Sequence, residues 1–327
     1  MSERHPLVSI GIPVYNGESS IEQALDALRA QTYDNLELVI SDNASTDSTS
    51  EICRQYAAKD RRIKYFRNPV NVGLYENFRR VVTLSTGEYF MWAAADDLKP
   101  PTAVEYCVQA ILGNDRAVTA HGIILARTAD GKELAVYPNQ IQLTDNSAAR
   151  RVRNFTHGLR HNGMFFCLHR RAALMQARLG NHVGQDYLLC LQMCLLGAIE
   201  YVPVPVIIYQ ERGRRPSTNL MYDDVPMTLS HLVSANKIYR RKCWTVLILG
   251  CYYLATTGQV PWSERWSAVG AHVTAFVSLY RSRFTREILY QLLEPVLWLS
   301  ILVWRLARQF SVTLWLARKV QARVMRI

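Results

Sequence analysis

Three times in the first ninety residues a short apolar run is followed by a polar loop and then by a helical pattern. The runs are LVSIGIPVYN, LELVISD and RIKYFRN, and a fourth, EYFMWAAADD, follows the third helix. The intervening stretches SSIEQALDALRAQ, STDSTSEICRQYAAK and LYENFRRVVTLS carry apolar residues at helical spacing, the first two behind serines placed to cap them. Strands that are apolar without alternation are buried on both faces. Strand–helix alternation of this kind therefore predicts a mostly parallel sheet covered by helices, an α/β architecture. In such sheets ligands bind beyond the carboxyl ends of the strands. Three polar loops fall there: Pro13 to Glu18, Asp42 to Asp47, and Asp96 to Leu98.

The third loop is chemically the most demanding. Asp96 and Asp97 are adjacent at the end of a strand that reads as buried, where like charges repel and burial raises the cost of ionising each. A cation with a taste for oxygen ligands would resolve the conflict. The plain alternative is that Asp97 caps the helix opened by Pro100 and Pro101. Dinucleotide and P-loop chemistry are not supported: the first loop reads IPVYNGES in place of G-x-G-x-x-G, and no G-x-x-x-x-G-K-[ST] occurs.

Charge divides the chain in two. Residues 1–230 hold 24 basic and 24 acidic side chains, whereas 231–327 hold 14 basic and three acidic, so the whole net charge of +11 sits in the last third. The reading is a domain over 1–230, with halves at about 1–115 and 116–230, followed by a basic amphipathic helical region over 231–327. The N-terminus shows no apolar signal core, and an odd count of seven cysteines fits a reducing compartment. Cys190 and Cys194 lack partners at metal-ligand spacing and read as core.

Taken together, these segments resemble the opening of the family 2 glycosyltransferases, inverting enzymes of the GT-A fold. The resemblance is carried by the P-x-Y-N loop, the S-x-x-x-Q helix and the D-x-x-S-D-x-T loop within VSIGIPVYNGESSIEQALDALRAQTYDNLELVISDNASTDST. It continues through NVGLYENFRRVVTLSTGEYFMWAAADD, with a D-x-D-type acidic motif, and GQDYLLCLQMCLLG, covering roughly residues 7–215. It implies a Rossmann-like nucleotide-binding sheet and a hexosyl donor activated as a UDP-, dTDP- or GDP-sugar. Pro13, Tyr15, Asn16 and Glu18 fall in the loop that packs on the donor, and Asp42 at the carboxylate that contacts the nucleobase. Asp96 falls near the ribose, Asp97 at the ligand of Mg2+ or Mn2+, and Asp186 at the general base.

Each residue keeps a plainer reading beside that one. Asp186 could be a helix N-terminal residue favoured by the dipole, Asp42 a turn residue, Tyr15 a core side chain, and Arg79 and Arg80 a solvated helix face. Relatives of this type often carry a histidine in the basic loop that here reads ERGRRPSTN. Arg212, Arg214 and Arg215 stand in its place as groups for the diphosphate, since guanidinium suits phosphate oxygens.

The last third holds no catalytic motif. Residues 243–263 are free of charge, but their strongly apolar part falls short of the roughly 20 residues that a spanning helix needs. Trp298, Trp304 and Trp315 alternate with Arg305, Arg308, Arg318, Lys319 and Arg323 at helical spacing, which suits an anionic membrane surface. Nucleic acid is a poor partner for so many large aliphatics. The expectation is peripheral attachment at the cytoplasmic membrane face and a lipid-linked saccharide acceptor, serving cell-surface polysaccharide or glycolipid assembly. The rivals are a non-catalytic nucleotide-sugar-binding adaptor and a soluble glycosyltransferase with a packed helical tail.

Overall fold

The protein is represented by a computed structural model that describes residues 4–128, 131–137, 141–158, 162–180, 184–211, 242–258 and 260–278. Four strands in parallel form its first half: β1 (Val8–Val14), β2 (Leu36–Asp42), β3 (Ile63–Arg67) and β4 (Tyr89–Trp92). They are joined by helices α1 (Ile21–Arg29), α2 (Thr49–Lys59) and α3 (Leu74–Leu84). After α4 (Ala103–Leu112) the chain builds β5 (Ala117–Thr128), β6 (Glu133–Tyr137) and α5 (Ala148–Gly158). A 3-10 turn (Asn162–Phe166) leads into β7 (Leu168–Arg170), the short α6 (Arg171–Leu174), α7 (Gln185–Leu196) and β8 (Ala198–Glu211). The described strands make one sheet in the order β3-β2-β1-β4-β7-β5-β6, with β8 along the other edge of β5. It is mixed: β7 runs antiparallel to both of its neighbours, while β8 is parallel to β5.

The two faces of β1 explain how the helices reach the sheet. Val8, Ile10, Ile12 and Val14 all enter the core layer that also holds α1 and α4. The opposite positions are Ser9, Gly11 and Pro13, which are small. A Cβ on Gly11 would lie 2.6 Å from the Phe90 ring and 2.8 Å from Val81 of α3, so only glycine lets that helix settle here. Phe90 and Trp92 face this second layer, where Trp92 stacks on Phe165 at 4.3 Å between ring centres and its indole N–H donates to the Phe78 carbonyl.

Strand β4 ends sooner than its apolar run suggests. Gly11 pairs with Trp92, and the Gly11 carbonyl accepts from Ala93 N at 2.9 Å. The next donor on that edge of β1 would be the nitrogen of Pro13, which carries no hydrogen. Ala93 to Asp97 therefore leave the ladder as a turn. The predicted serine caps also work differently. Ser20 and Ser48 occupy the N-cap positions but make no side-chain cap bond; Ser20 Oγ turns to the Gly17 carbonyl. At α2, Asp47 accepts from Thr49 N, while Glu18 accepts from Ser48 N.

A further helix, α8 (Lys242–Thr256), and the helix at residues 262–278 lie in the same compact unit as the sheet, which runs to Phe276. Tyr253, Leu254, Ala268 and Val269 join the layer around α7, and Thr257 donates to Gln192 at 2.8 Å. Cys190 and Cys194 are buried in that layer as free thiols, as expected from their spacing. Among the described residues no helix is long and apolar enough to cross a membrane.

At the amino end of the sheet a single buried carboxylate ties four segments together. Glu37 accepts from Lys64 Nζ at 2.6 Å and from Ser9, Thr86 and Gly87. Burial pushes its pKa up, but these hydrogen bonds outweigh burial and hold it at about 2. With the folded value depressed below 4.5, Glu37 stabilises the fold fully above about pH 4.5 and loses that contribution as pH falls towards 2. Glu37→Gln should thus be less stable than wild type by about 2 kcal/mol at neutral pH, and denaturant titrations should show the gap closing between pH 4.5 and 2.

Candidate functional site

The parallel order of β2, β1 and β4 brings their carboxyl ends, and hence the three loops, side by side. The first two loops are locked together. Asn16 N donates to Ser45 Oγ, and Asn16 Oδ1 accepts from Thr46 N at 2.9 Å. Gly17 N donates to Thr49 Oγ1, and Glu18 N to Asp47. Asn16 and Ala44 both sit at positive φ, 49° and 62°. Asparagine tolerates this conformation, whereas for alanine it stores about 1 kcal/mol of strain. Tyr15 projects from the same loop, 48% exposed, with its ring available to a ligand; the core reading of this side chain does not hold. Pro13, by contrast, is buried in β1, and its part is to shape the crevice.

Asp42 occupies a different position from a surface ligand. Its side chain has no accessible area; Oδ1 accepts from Ser45 N at 2.8 Å and Oδ2 from the Tyr65 hydroxyl at 2.7 Å, with Arg67 Nε 3.8 Å away. Here the carboxylate organises the loop from within. Beside it lies a polar network that sequence reasoning missed. Asn43 donates to Asn71, Asn68 donates to Asn43, and Asn77 joins Ser41 through both its amide oxygen and nitrogen. The segment from Asn68 to Gly73 is thereby fixed, and Gly73, at φ 88°, turns it into α3. Asn71 opens the N-x-G of the resembling segment, but nothing in the sequence joins it to Asn43, Asn68 and Asn77; only their convergence in space does.

The acidic turn packs against the first loop: a Cβ on Gly17 would sit 3.8 Å from the Ala95 Cβ, ordinary van der Waals contact. Asp96 is exposed and Asp97 half-buried. Behind them the turn is anchored on three sides. Leu98 and Ile208 exchange backbone hydrogen bonds, and Gln31 holds the carbonyls of Lys99 and Pro100. Buried Lys99 donates to the Phe166 carbonyl at 2.8 Å. Burial pulls its pKa down, opposed by the neighbouring Cys167, Cys107 and Asp97. Thr102, not Asp97, holds the N-cap position of α4, so the plain capping role for Asp97 does not apply.

Asp186 lies in the first turn of α7, half-buried, behind Gly184 at φ 76°. Tyr75 of α3 feels its charge: burial and then the Asp186 carboxylate push the tyrosine's pKa up to about 12. The first turn of α7 and the start of α3 are thus near neighbours. His169 is buried structure, bonded to Thr119 and to the Phe165 carbonyl, with its pKa pushed by burial down to about 4. Arg212, Arg214 and Arg215 lie outside the described residues, as do His161 and His182.

Among the described residues no three His, Cys, Asp or Glu side chains converge as a metal cluster. The donor set at the acidic turn nevertheless suits a hard divalent cation. Magnesium is commonly held by one or two carboxylates together with substrate phosphates and water, not by a closed protein cage. Two adjacent carboxylates at the mouth of a crevice meet that requirement.

The architecture is that of the GT-A sugar transferases, and the likeness to solved structures is one of fold. S. aureus TarS 1-349 superposes with a TM-score of 0.57 at 14% identity, covering 84% of this chain and 73% of that one. A second TarS 1-349 structure, in complex with UDP-GlcNAc, gives 0.56 at 15%. The chain belongs to glycosyl transferase family 2, whose sequence model matches residues 9–176. An uncharacterised glycosyltransferase of Haemophilus influenzae is 26% identical over 232 residues, 66% of this chain and 69% of its own length. One from Rickettsia bellii is 34% identical over 166 residues, 48% of this chain and only 23% of its own length. The putative glycosyltransferase EpsE of Bacillus subtilis is 36% identical over 101 residues, 31% of this chain and 36% of EpsE.

The geometry separates the acidic residues by role. Asp42→Asn should lower the unfolding free energy by about 2 kcal/mol, because buried donors lose their acceptor. Asp96→Asn, at an exposed position, should change it by less than about 0.5 kcal/mol. Chemical denaturation of the two variants checks both.

Proposed function

We propose that this glycosyltransferase moves a hexosyl group from a UDP-, dTDP- or GDP-sugar to a hydroxyl of a saccharide acceptor, with inversion at the anomeric carbon. The observation that carries the reading is the acidic turn, where β4 leaves the ladder at Pro13, beside an ordered, strained loop. In this reading Tyr15 offers its ring to the nucleobase. Asp42 acts indirectly, by setting the loop that the base meets, and Asp96 lies towards the ribose. Glu18, tied to Ser48 N, and Asn16, tied to Thr46 N, fix the shape of the donor pocket. Asp97 would hold Mg2+ or Mn2+, and Arg212 and Arg214 would supply further positive charge to the diphosphate. Such a cation would supply Lewis-acid stabilisation of the leaving group.

Inversion in one displacement needs a carboxylate on the acceptor side, away from the leaving group. Asp186 takes the proton from the acceptor hydroxyl as its oxygen attacks the anomeric carbon. The start of α7 favours negative charge there, and Tyr75 closes the site on one side. An adaptor that binds without turnover would have no use for this second acidic position.

The acceptor reading extends to the membrane. Ile248 and Tyr252 are exposed one turn apart on α8, and Trp262 and Trp266, 64% and 49% exposed, form an edge-to-face pair on the next helix. Aromatic side chains of this kind favour the headgroup region of a bilayer. With the basic residues beyond 280, they support peripheral attachment at the cytoplasmic face and a lipid-linked acceptor. The packing of α8 on the domain favours the soluble, packed-tail alternative for residues 242–276 alone.

Titration calorimetry with UDP, dTDP and GDP, with and without Mn2+, tests the donor site. One nucleotide should bind in a metal-dependent way to wild type and lose that dependence in Asp97→Asn. Asp186→Asn should bind the same nucleotide normally while turnover falls by at least about 100-fold. Nucleotide binding indifferent to both metal and Asp97 would remove Asp97 as a ligand.

A further inference from the structure

A cleft of about 760 Å³ opens between α3, the segment after α6, and α8. Its walls differ sharply in character. Leu174, Leu179 and Tyr253 make an apolar floor, and Arg79, Arg80 and Arg178 stand at its sides. Arg79 is neutralised by Glu76 at 2.7 Å. Arg178 lies over the Tyr252 ring and donates to its hydroxyl at 2.9 Å, which fixes the guanidinium without discharging it. Arg80 makes no ion pair among the described residues. Two uncompensated cations thus border an apolar trough.

The surface around the mouth continues that apolar character: Met175 is 57% exposed, Tyr252 51%, and Ile248, one turn before Tyr252 on α8, 61%. A nucleotide would gain nothing from the aliphatic floor, and an alkyl chain alone nothing from the arginines. The chain's own remaining stretches are poor occupants as well. Residues 212–241 carry six basic and two acidic side chains and residues 279–327 nine and two, a net positive charge that does not complement two arginines.

We propose that the cleft binds the phosphate-bearing end of a membrane lipid, with the phosphate between Arg80 and Arg178 and the hydrocarbon along Leu174, Leu179 and Tyr253. Guanidinium groups are suited to phosphate oxygens, and a desolvated apolar trough is suited to alkyl or isoprenoid chain. The position also connects with the chemistry. Arg79 lies one turn along α3 from Tyr75, about 6 Å of helix, and Tyr75 is near enough to Asp186 to feel its charge. A lipid held here would present a headgroup-linked saccharide towards the acceptor side. This deepens the membrane-held acceptor reading and rests on it for what the lipid carries.

The test uses the full chain and three probes: short-chain dihexanoyl phosphatidic acid, inorganic phosphate, and phosphatidylcholine vesicles with or without phosphatidic acid. Calorimetry should show saturable binding of the short-chain lipid, at least about tenfold tighter than inorganic phosphate. The double variant Arg80→Ala/Arg178→Ala should weaken it by about tenfold or more. Met175→Asp, a change at an exposed position, should do the same by placing a carboxylate at the mouth. Vesicle sedimentation should require phosphatidic acid and, because the basic residues beyond 280 also meet that surface, should fall only in part in the variants. Phosphate binding as tight as lipid binding, lipid binding unchanged in both variants, or no saturable lipid binding would each overturn the proposal. Wild-type nucleotide binding is measured in parallel, so loss of the lipid site and failure of the donor site are told apart.

Discussion

A hydrogen atom missing from Pro13 decides where this molecule opens. Strand β1 pairs with β4 as far as the Gly11–Trp92 step, and the next donor on that edge is the proline nitrogen. On its other edge β1 keeps its partner to the end, Val14 against Asp42. The sheet therefore splits on one side of β1 only, and the split forms between the strand that carries Tyr15 and the one that carries Asp96 and Asp97. Both loops remain attached to intact strands a few residues below.

Around that opening the chain places its polar groups at two depths. The inner set, Asp42 with Asn43, Asn68 and Asn77, is buried and internally bonded except at the Asn68 amide oxygen, which has no partner among the described residues, so it contributes shape. Buried polar groups of this kind are tolerable only when their partners are in place. The outer set, Tyr15, Asp96 and Asp97, is left towards solvent, with Asp97 only half open. Lys99 connects the two halves of the domain from below, reaching from the end of the acidic turn to the Phe166 carbonyl. The ordered loop and the acidic turn are thus held independently of any ligand, which is the condition for a site that does not reorganise as charge develops.

The four parallel strands were legible because uninterrupted apolar runs have few other uses, and the acidic turn because adjacent carboxylates after such a run call for an explanation. Family membership was likewise readable from the ordered set of loops. What stayed hidden depends on contacts distant in sequence. Nothing local to Asp42 says that Tyr65 and Ser45 will use up both its oxygens, and nothing local to Lys99 points to Phe166. The second half of the sheet stayed hidden for a related reason. Its strand β7 is three residues long, and its place between β4 and β5 follows from pairing, not from periodicity. The first part of the tail was assigned to a separate region by its charge, whereas its apolar side, Tyr253 and Leu254, decides where it packs.

The insertion of β7 has an evolutionary consequence. Phe90 pairs with His169 and Met91 with Leu168, so a strand from the later half of the domain is bonded directly to the last strand of the earlier half. The two halves are stitched, not hinged, and neither has a free sheet edge at the junction to cap on its own. Recombination that exchanged one half for a homologue's would have to rebuild this seam along with the side chains on either side of it. Diversification of such a scaffold is thereby steered away from swapping modules and towards rewriting its loops and peripheral helices one at a time.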